Sequence, residues 1–192
     1  FVECLLAPDF SKAARRVLEA RPNVRLLKIP GFEFPLSQEL RTVAGGLLRQ
    51  SPDHADPSGT QAWQVVTQRQ PTEQELADMQ FAWQACQPVK SNAIVLARSR
   101  GQLRFTVGIG GGQPNRLDSV RIAGQRASER AVGAVLASDG FFPFPDGVEA
   151  AAALGVTAIV QPGGSRRDQE VIESADAAGL AMTLTGVRHF RH

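Results

Sequence analysis

Blocks of apolar residues separated by polar turns predict secondary structure along the chain. In the first third, the pattern predicts a strand at residues 1–7, a helix capped by Ser11 and a second strand at residues 24–29. Residues 31–71 contain several prolines and a glycine pair at residues 45–46. Because proline and glycine interrupt regular elements, we predict an irregular excursion there.

A capping-box pattern, Thr72 followed by Glu75, predicts the start of a helix that continues to about Cys86. Its buried face is predicted from apolar residues spaced three or four positions apart, namely Leu76, Met79, Trp83 and Cys86. This spacing indicates core residues rather than groups that stack on a cofactor.

Strands and helices alternate regularly in the second half. The predicted strands are residues 93–97, 103–109, 134–137, 156–160 and 180–184, and the predicted helices are residues 115–130, 147–154 and 168–178. This alternation predicts an α/β layer with at least some parallel pairing. Ligands of such sheets gather at the carboxyl ends of the strands, where three loops fall, at residues 108–112, 139–146 and 162–167.

Composition excludes several classes of protein and partner. The chain has 192 residues, of which 43% are hydrophobic, and a net charge of +2, so neither a disordered tail nor binding to nucleic acid is indicated. The longest apolar run, near residues 150–160, is too short to span a membrane. The two cysteines, Cys4 and Cys86, form no metal-binding or disulfide pattern, so a cytoplasmic location is expected.

Two of the three loops can attract an anion. The glycine-rich run at residues 108–112 precedes Arg116. Such a run either lets a ligand approach the backbone closely or forms a tight turn without a ligand. The spacing of its glycines does not match the fingerprint of a dinucleotide-binding loop. In the loop at residues 162–167, Ser165 and Asp168 have capping-box spacing around two arginines. Cations are unfavourable at the start of a helix, so the two arginines are easier to explain if an anion binds there. The alternative is that both arginines are simply exposed to solvent.

The third loop, residues 139–146, places three phenylalanines between two carboxylates. Such a loop can hold a planar heteroaromatic ring whose N–H groups donate to a carboxylate, although Phe142 equally suits a place in the core. Near the C-terminus, His189 and His192 have no partner at metal or triad spacing, so we interpret both as part of a terminal tail.

Taken in order, these motifs resemble the aminoimidazole carboxamide ribonucleotide (AICAR) transformylase part of the PurH family of bifunctional purine biosynthesis enzymes. The resemblance covers nearly the whole chain. Its matching stretches are FVECLLAPDF at the start, VKSNAIV at residues 89–95, VGIGGGQPNRLDS at residues 107–119, ASDGFFPFPDGV at residues 137–148, and GVTAIVQPGGSRRDQEVI running into GVRHFRH.

The resemblance implies a cytidine-deaminase-like three-layer sandwich with a mixed sheet and helices on both faces. It implies formyl transfer from the co-substrate 10-formyltetrahydrofolate to the 5-amino group of AICAR, without a metal. Residues 1–87 would be a linking, partial subdomain and residues 88–192 the C-terminal subdomain. The family's active site forms across a homodimer interface, and neither nucleic acid nor a membrane is an expected partner.

The resemblance also implies roles for individual residues. Asn92 is the expected catalytic residue, since its position in the family helps to align the amine with the formyl group. Five positions are expected to contact AICAR: Glu3, Asn92, Arg116, Phe141 and Arg188. Four are expected to contact folate, with a carboxylate against the pterin ring: Leu117, Asp146, Ser165 and Arg166.

The sequence departs from the family pattern at several points. The family uses an adjacent Lys-His pair to move the proton and stabilise the oxyanion, and no such dipeptide occurs here. We therefore expect this pair, and the N-terminal cyclohydrolase domain, to lie in a preceding part of a longer protein, and the chain alone to be inactive. The family usually has Arg at Pro145 and Ala at Gly140 and Gly111.

Two other function classes stay open at this stage. One is a nucleotide- or dinucleotide-binding module without transferase activity, which titration with NAD(H) would reveal. The other is a dimerisation or scaffold module, whose thermal stability neither AICAR nor folate would change.

Overall fold

The structure is a computed structural model that describes residues 2–31, 38–53 and 59–191. The chain divides into two compact units, Phe1–Pro52 and Asp53–His192. The elements of the first unit are β1 (Cys4–Ala7), α1 (Lys12–Leu18), β2 (Arg25–Lys28), β3 (Glu39–Val43) and β4 (Gly46–Gln50). The predicted division at residues 87 and 88 concerns subdomains of the family and stays a prediction.

The first unit contains a parallel pair, β1 with β2, and an antiparallel hairpin, β3 with β4. Ser11 caps α1 as predicted, because its hydroxyl accepts a hydrogen bond from the Ala14 N–H over 3.1 Å. The prediction of an irregular excursion is wrong for the hairpin, where Gly45 has a φ of +81° in the connecting turn. Other parts of that stretch, residues 32–37 and 54–58, lie outside the described residues.

The second unit is built on a six-stranded mixed sheet. Its elements are β5 (Gln64–Val65), α2 (Glu73–Cys86), β6 (Ile94–Arg100), β7 (Leu103–Gly110), α3 (Arg116–Ala127), β8 (Val135–Ser138), α4 (Asp146–Ala153), β9 (Ala158–Gln161), α5 (Asp168–Ala177) and β10 (Ala181–Leu184). The strand order is β5-β10-β9-β8-β6-β7, in which β8, β9 and β10 are parallel and the other pairings are antiparallel.

Both faces of this sheet are covered by helices. Side chains alternate along β6, so that Ile94 and Leu96 join the core formed with α3, α4 and α5, while Val95 and Ala97 join the core formed with α2. Continuously apolar strands are typical of sheets buried on both sides. The predicted mixed α/β sheet with helices on both faces is therefore confirmed, whereas its specific cytidine-deaminase-like character stays a prediction.

Helix α2 begins with the predicted capping box. The Glu75 N–H donates to Thr72 Oγ1 over 3.1 Å, and the Thr72 N–H donates to Glu75 Oε2 over 2.8 Å. Three of the four residues of its predicted buried face are buried: Met79, Trp83 and Cys86. The prediction is wrong for Leu76, which is 37% exposed in the first turn.

The glycines of β7 allow α3 to pack directly on the strand. A Cβ atom at Gly108 would lie 2.0 Å from the carbonyl oxygen of Ala123, and one at Gly110 would lie 2.0 Å from that of Ser119. Neither position can carry a side chain without moving the helix. At these two positions the glycine-rich run serves packing rather than ligand approach.

Candidate ligand site

Two adjoining cavities lie at the edge of the sheet where β7 and β8 end. The larger, about 750 Å³ in volume, is lined by Ser91, Asn92, Gln113, Phe141 and Phe190, among others. The smaller, about 310 Å³, is lined by Leu117, Arg121, Phe144 and Asp146, among others. Asn115, Arg116 and Pro143 line both cavities, so the two spaces share one wall.

Arg116 is held in this wall by three side chains from two different segments. Its guanidinium donates to the buried Asp139 carboxylate, to Ser138 Oγ over 2.8 Å and to Asn92 Oδ1 over 2.8 Å. The residue begins α3, where a cation is electrostatically unfavourable, and the carboxylate offsets this charge. A planar guanidinium bound on several sides has little freedom to turn.

The Asn92 side chain is oriented at both of its polar ends. Its Nδ2 donates to the carbonyl oxygen of Gln113 over 2.9 Å, while its Oδ1 accepts from Arg116. The Asn92 backbone is held as well, because its N–H donates to the same Gln113 carbonyl and its carbonyl accepts from Ser119 Oγ over 2.8 Å. The amide therefore faces the larger cavity in a fixed orientation.

Asn115 explains why α3 starts at the shared wall. Its side chain caps the helix by accepting from the Asp118 N–H over 2.8 Å, so the first helical residue is Arg116. In the loop at residues 139–146, Gly140 leaves room for the guanidinium, because a Cβ atom at this position would lie 2.5 Å from Arg116 Nη2. A Cβ atom at Gly111 would lie 2.5 Å from a methyl group of Val89.

The three phenylalanines of the loop at residues 139–146 have different surroundings. Phe142 is buried in the core, and its N–H donates to Gln161 Oε1 over 2.9 Å, so the core alternative is the right one for this residue. Phe141 lines the larger cavity and Phe144 the smaller. The Arg167 guanidinium lies 4.9 Å from the centre of the Phe144 ring.

A folded C-terminal segment, which we define as residues 187–191, contributes Phe190 to the lining of the larger cavity. The Ser91 N–H donates to the Arg191 carbonyl over 2.8 Å, and the Arg191 N–H donates to Ser91 Oγ over 3.1 Å. The interpretation of His189 as part of a terminal tail is wrong, since it is buried, with Nδ1 2.9 Å from Asp53 Oδ1 and its ring centre 4.7 Å from that of Trp83, at an angle of 49°. Its partner is 136 positions away, so local spacing gave no signal; His192 lies outside the described residues.

The two cavities bring together five of the residues expected to contact substrates. Asn92, Arg116 and Phe141 line the larger cavity, and Leu117 and Asp146 line the smaller one. Sequence reasoning gave no role to Ser91 or to Phe190. The sequence signals for these two residues were weak: Ser91 directly precedes the expected residue Asn92, and Phe190 lies two positions after the expected residue Arg188.

Four expected residues line neither of these two cavities. Arg188 is exposed, with its guanidinium 5.6 Å from the centre of the Phe190 ring at the cavity edge. Glu3 belongs to the first unit, immediately before β1. Ser165 and the exposed Arg166 lie in the loop before α5.

Helix α5 begins at the predicted residue, Asp168, but the Ser165 hydroxyl does not cap it. A capping box would place the Ser165 hydroxyl on the Asp168 N–H, but this hydroxyl accepts from the Arg167 N–H over 3.1 Å, and the helix begins at Asp168. The Asp168 carboxylate instead accepts from Gly164 and Ser165 N–H groups. Arg167 is paired with Glu170, whose hydrogen bonds raise the pKa of this guanidinium. Its charge is therefore already compensated by a carboxylate of the protein, without a bound anion.

Within the described ranges, no three His, Cys, Asp or Glu side chains come together in a group suited to a metal ion. None of the helices described is both long and apolar enough to cross a membrane.

The architecture and the site define a three-layer α/β protein with a candidate small-molecule site where the sheet strands end. Residues 1–126 match the family model described as AICARFT/IMPCHase bienzyme, and the chain belongs to this family. The predicted family membership is thereby confirmed.

Curated relatives are similar along the whole chain. "Bifunctional purine biosynthesis protein PurH" of Nostoc punctiforme is 50% identical over 192 residues, and the protein of the same name from Synechocystis sp. is 48% identical over 194. The matches cover 100% of this chain but only 36% and 37% of those relatives. A solved chain, Acinetobacter baumannii RibD, form 2, has 18% identity and a TM-score of 0.39, over 57% of this chain and 34% of that one.

Proposed function

We propose that this chain provides AICAR- and folate-binding surfaces of a formyltransferase in de novo purine biosynthesis, within a protein that also cyclises the product to inosine monophosphate. The observation that carries the proposal is the shared wall at Arg116. Residues that the family resemblance assigns to AICAR line one side of it, and residues assigned to folate line the other. Formyl transfer requires such adjoining sites, because the amine and the formyl carbon must meet.

In the larger cavity, AICAR would lie between aromatic and polar groups. The rings of Phe141 and Phe190 offer apolar surface to its imidazole ring, and the fixed amide of Asn92 orients the 5-amino group. Arg188 and Glu3 would complete the ribonucleotide contacts. Because its hydrogen bonds hold it in place beforehand, Asn92 needs little reorganisation when the reaction begins.

In the smaller cavity, 10-formyltetrahydrofolate would present its formyl group toward Arg116. The exposed Asp146 carboxylate would accept hydrogen bonds from the N–H groups of the pterin ring, beside the apolar surface of Leu117 and Phe144. Ser165 and Arg166 would contact the rest of the molecule. Pro145 has no charge, so this chain lacks the cation that the family usually has beside the carboxylate.

The reaction joins the amine nitrogen to the formyl carbon. The nitrogen attacks, a base accepts its proton, and the tetrahedral oxyanion collapses as N10 of tetrahydrofolate leaves with a proton. The 5-amino group is electron-poor, so the base and a cation for the oxyanion are both required. We assign these two roles to the family's Lys-His pair, which another part of the whole protein would supply.

The proposal extends to partners and location. The active site would form across a homodimer interface in the cytoplasm, with no metal and with neither nucleic acid nor a membrane as a partner. The dinucleotide-binding alternative is not favoured, because the family is different and Gly108 and Gly110 are used in packing.

A chimera tests the proposal without requiring two separate pieces to reassemble. The 192 residues replace the matching region of the Nostoc punctiforme relative, to which they are 50% identical. We expect this chimera to form tetrahydrofolate from AICAR and 10-formyltetrahydrofolate. Asn92→Ala should abolish that transfer and leave cyclohydrolase activity intact, whereas Asn23→Ala, at an exposed turn, should change neither.

Two results would refute the proposal. One is a chimera that retains cyclohydrolase activity but transfers no formyl group. The other is undiminished transfer in the Asn92→Ala chimera, which would show that the larger cavity is not where the reaction takes place.

A further inference from the structure

We propose that Asp139 is a positioning residue, which couples Arg116 in the shared cavity wall to the C-terminal segment. Asp139 does not line either cavity and is fully buried. It can therefore influence a ligand only through the groups that it holds. The coupling is a property of the free protein, and only its consequence for AICAR rests on the proposed function.

The two carboxylate oxygens of Asp139 have different partners. Oδ1 accepts from the Arg116 guanidinium, and Oδ2 accepts from the Ser91 hydroxyl over 2.6 Å. Ser91 directly precedes Asn92, the other side chain that Arg116 binds. One buried carboxylate thus connects Arg116 to Ser91, and both of these residues line the larger cavity.

The same residue holds the C-terminal segment. The His189 N–H donates to the backbone carbonyl of Asp139 over 3.0 Å. The Ser91 hydroxyl, which donates to Asp139, in turn accepts from the Arg191 N–H over 3.1 Å. Phe190 lies between these two attachments and lines the cavity, so its position depends on both.

Removing the carboxylate charge should weaken both connections. Arg116 would stay buried without its counter-ion, which is unfavourable in an environment of low dielectric. In an Asp139→Asn protein the new amide would donate to Ser91 Oγ, and would compete there with the Arg191 N–H. The expected result is a less ordered Arg116 and a less protected C-terminal segment.

Measurements on the ligand-free chain test the coupling directly. We would record the side-chain ¹⁵N–¹H signals of Arg116 and the amide hydrogen exchange of residues 189–191 in the wild type and in Asp139→Asn. In the variant, the Arg116 signals should shift and broaden, and the amide of Arg191 should exchange at least about tenfold faster.

Two further variants separate positioning from a loss of stability. Ser91→Ala removes only the side-chain connection, so exchange at Arg191 should accelerate while the Arg116 signals stay unchanged. Asp78→Asn is the matched control, because Asp78 is also a buried carboxylate, which binds Ser99 and Gln74 away from both cavities. It should lower stability without affecting either readout.

The AICAR titration of the same variants gives the functional consequence. Asp139→Asn should weaken AICAR binding at least about tenfold, and Asp78→Asn should not. The coupling is refuted if Asp139→Asn changes the Arg116 signals and the Arg191 exchange rate no more than Asp78→Asn does. This conclusion holds regardless of the AICAR affinities that are measured. If Asp139→Asn does not fold, unchanged Arg191 exchange in Ser91→Ala refutes it. If both readouts change but the wild type binds no AICAR, the coupling stands and the proposed function fails.

Discussion

Arg116 Nη2 donates a hydrogen bond to Asn92 Oδ1 over 2.8 Å, although the two residues are 24 positions apart. The bond joins the start of α3 to the segment that leads into β6, and both residues line the larger cavity. Asn92 also donates to the Gln113 carbonyl, so its amide cannot flip without losing a bond at each end. The orientation that the proposed reaction needs is present before any ligand binds.

Replacement of Arg116 by Lys should weaken AICAR binding by roughly 10- to 100-fold. An ammonium group cannot bind Asp139, Ser138 and Asn92 together in the planar geometry of a guanidinium. Isothermal titration calorimetry measures the change. Arg104→Lys is the control, because Arg104 also faces a buried carboxylate, Asp78 at 3.5 Å, but lines neither cavity. Equal affinity in the two variants would contradict this role of Arg116.

Gly110→Ala should strongly destabilise the second unit. The added Cβ would meet the Ser119 carbonyl oxygen at 2.0 Å, and α3 would have to move away from β7. Thermal unfolding followed by circular dichroism should show a large fall in Tm. Gly46→Ala adds a methyl group to β4 in open space and should change Tm little. A stable Gly110→Ala protein that loses only ligand binding would instead favour the anion-binding interpretation.

Glu75 should make the second unit sensitive to acid. Partial burial alone would raise its pKa, but hydrogen bonds from Arg69 and the Thr72 backbone outweigh burial and lower the pKa to about 2. Because the folded pKa is depressed, the stabilisation is fully present above about pH 4.5, the ordinary value, and is lost as the pH falls toward about 2. Glu75→Gln should remove about 1 to 2 kcal/mol at pH 7, less than the full pKa shift corresponds to, because solvent screens this partly exposed pair.

Urea unfolding at several pH values measures this effect. Both tryptophans, Trp63 and Trp83, belong to the second unit, so their fluorescence reports on its unfolding. The difference in free energy of unfolding between wild type and Glu75→Gln should shrink between pH 4.5 and pH 2. Glu73→Gln, an exposed change in the same helical turn, should show no such trend. A difference that stays constant with pH would contradict the assignment.

The two cysteines should differ in reactivity. Burial, reinforced by the negative charge of Asp139, raises the pKa of the Cys86 thiol far above its ordinary value, whereas Cys4 is half-buried. A native chain treated with a disulfide reagent at neutral pH should react quickly at one thiol. Cys4→Ser should abolish that fast reaction until denaturant is added. Fast labelling that persists in Cys4→Ser would show that Cys86 is accessible.

Local patterns predicted most of the second unit. The capping box at Thr72 and Glu75 and the alternation of short apolar strands with helices both depend on neighbouring residues. The hairpin of β3 and β4 was not predicted, because its glycine pair was interpreted as irregular structure rather than as a turn between strands.

The candidate site was less accessible to sequence reasoning, because its contacts join distant segments. No spacing pattern relates His189 to Asp53, or Arg116 to Asp139 and Asn92. The family resemblance supplied five of the residues that line the cavities, but not the connections among them. Those connections depend on which strands are neighbours in the sheet, and the strand order follows from the tertiary fold.

Calorimetric titration of AICAR into the 192-residue chain, with Asn92→Ala and Asn23→Ala measured beside the wild type, tests the central claim most directly. We predict saturable binding at one site per chain in the wild type and in Asn23→Ala, and a large loss of affinity in Asn92→Ala. No binding to the folded wild type, or equal affinity in all three proteins, would contradict the claim that the larger cavity is the AICAR site.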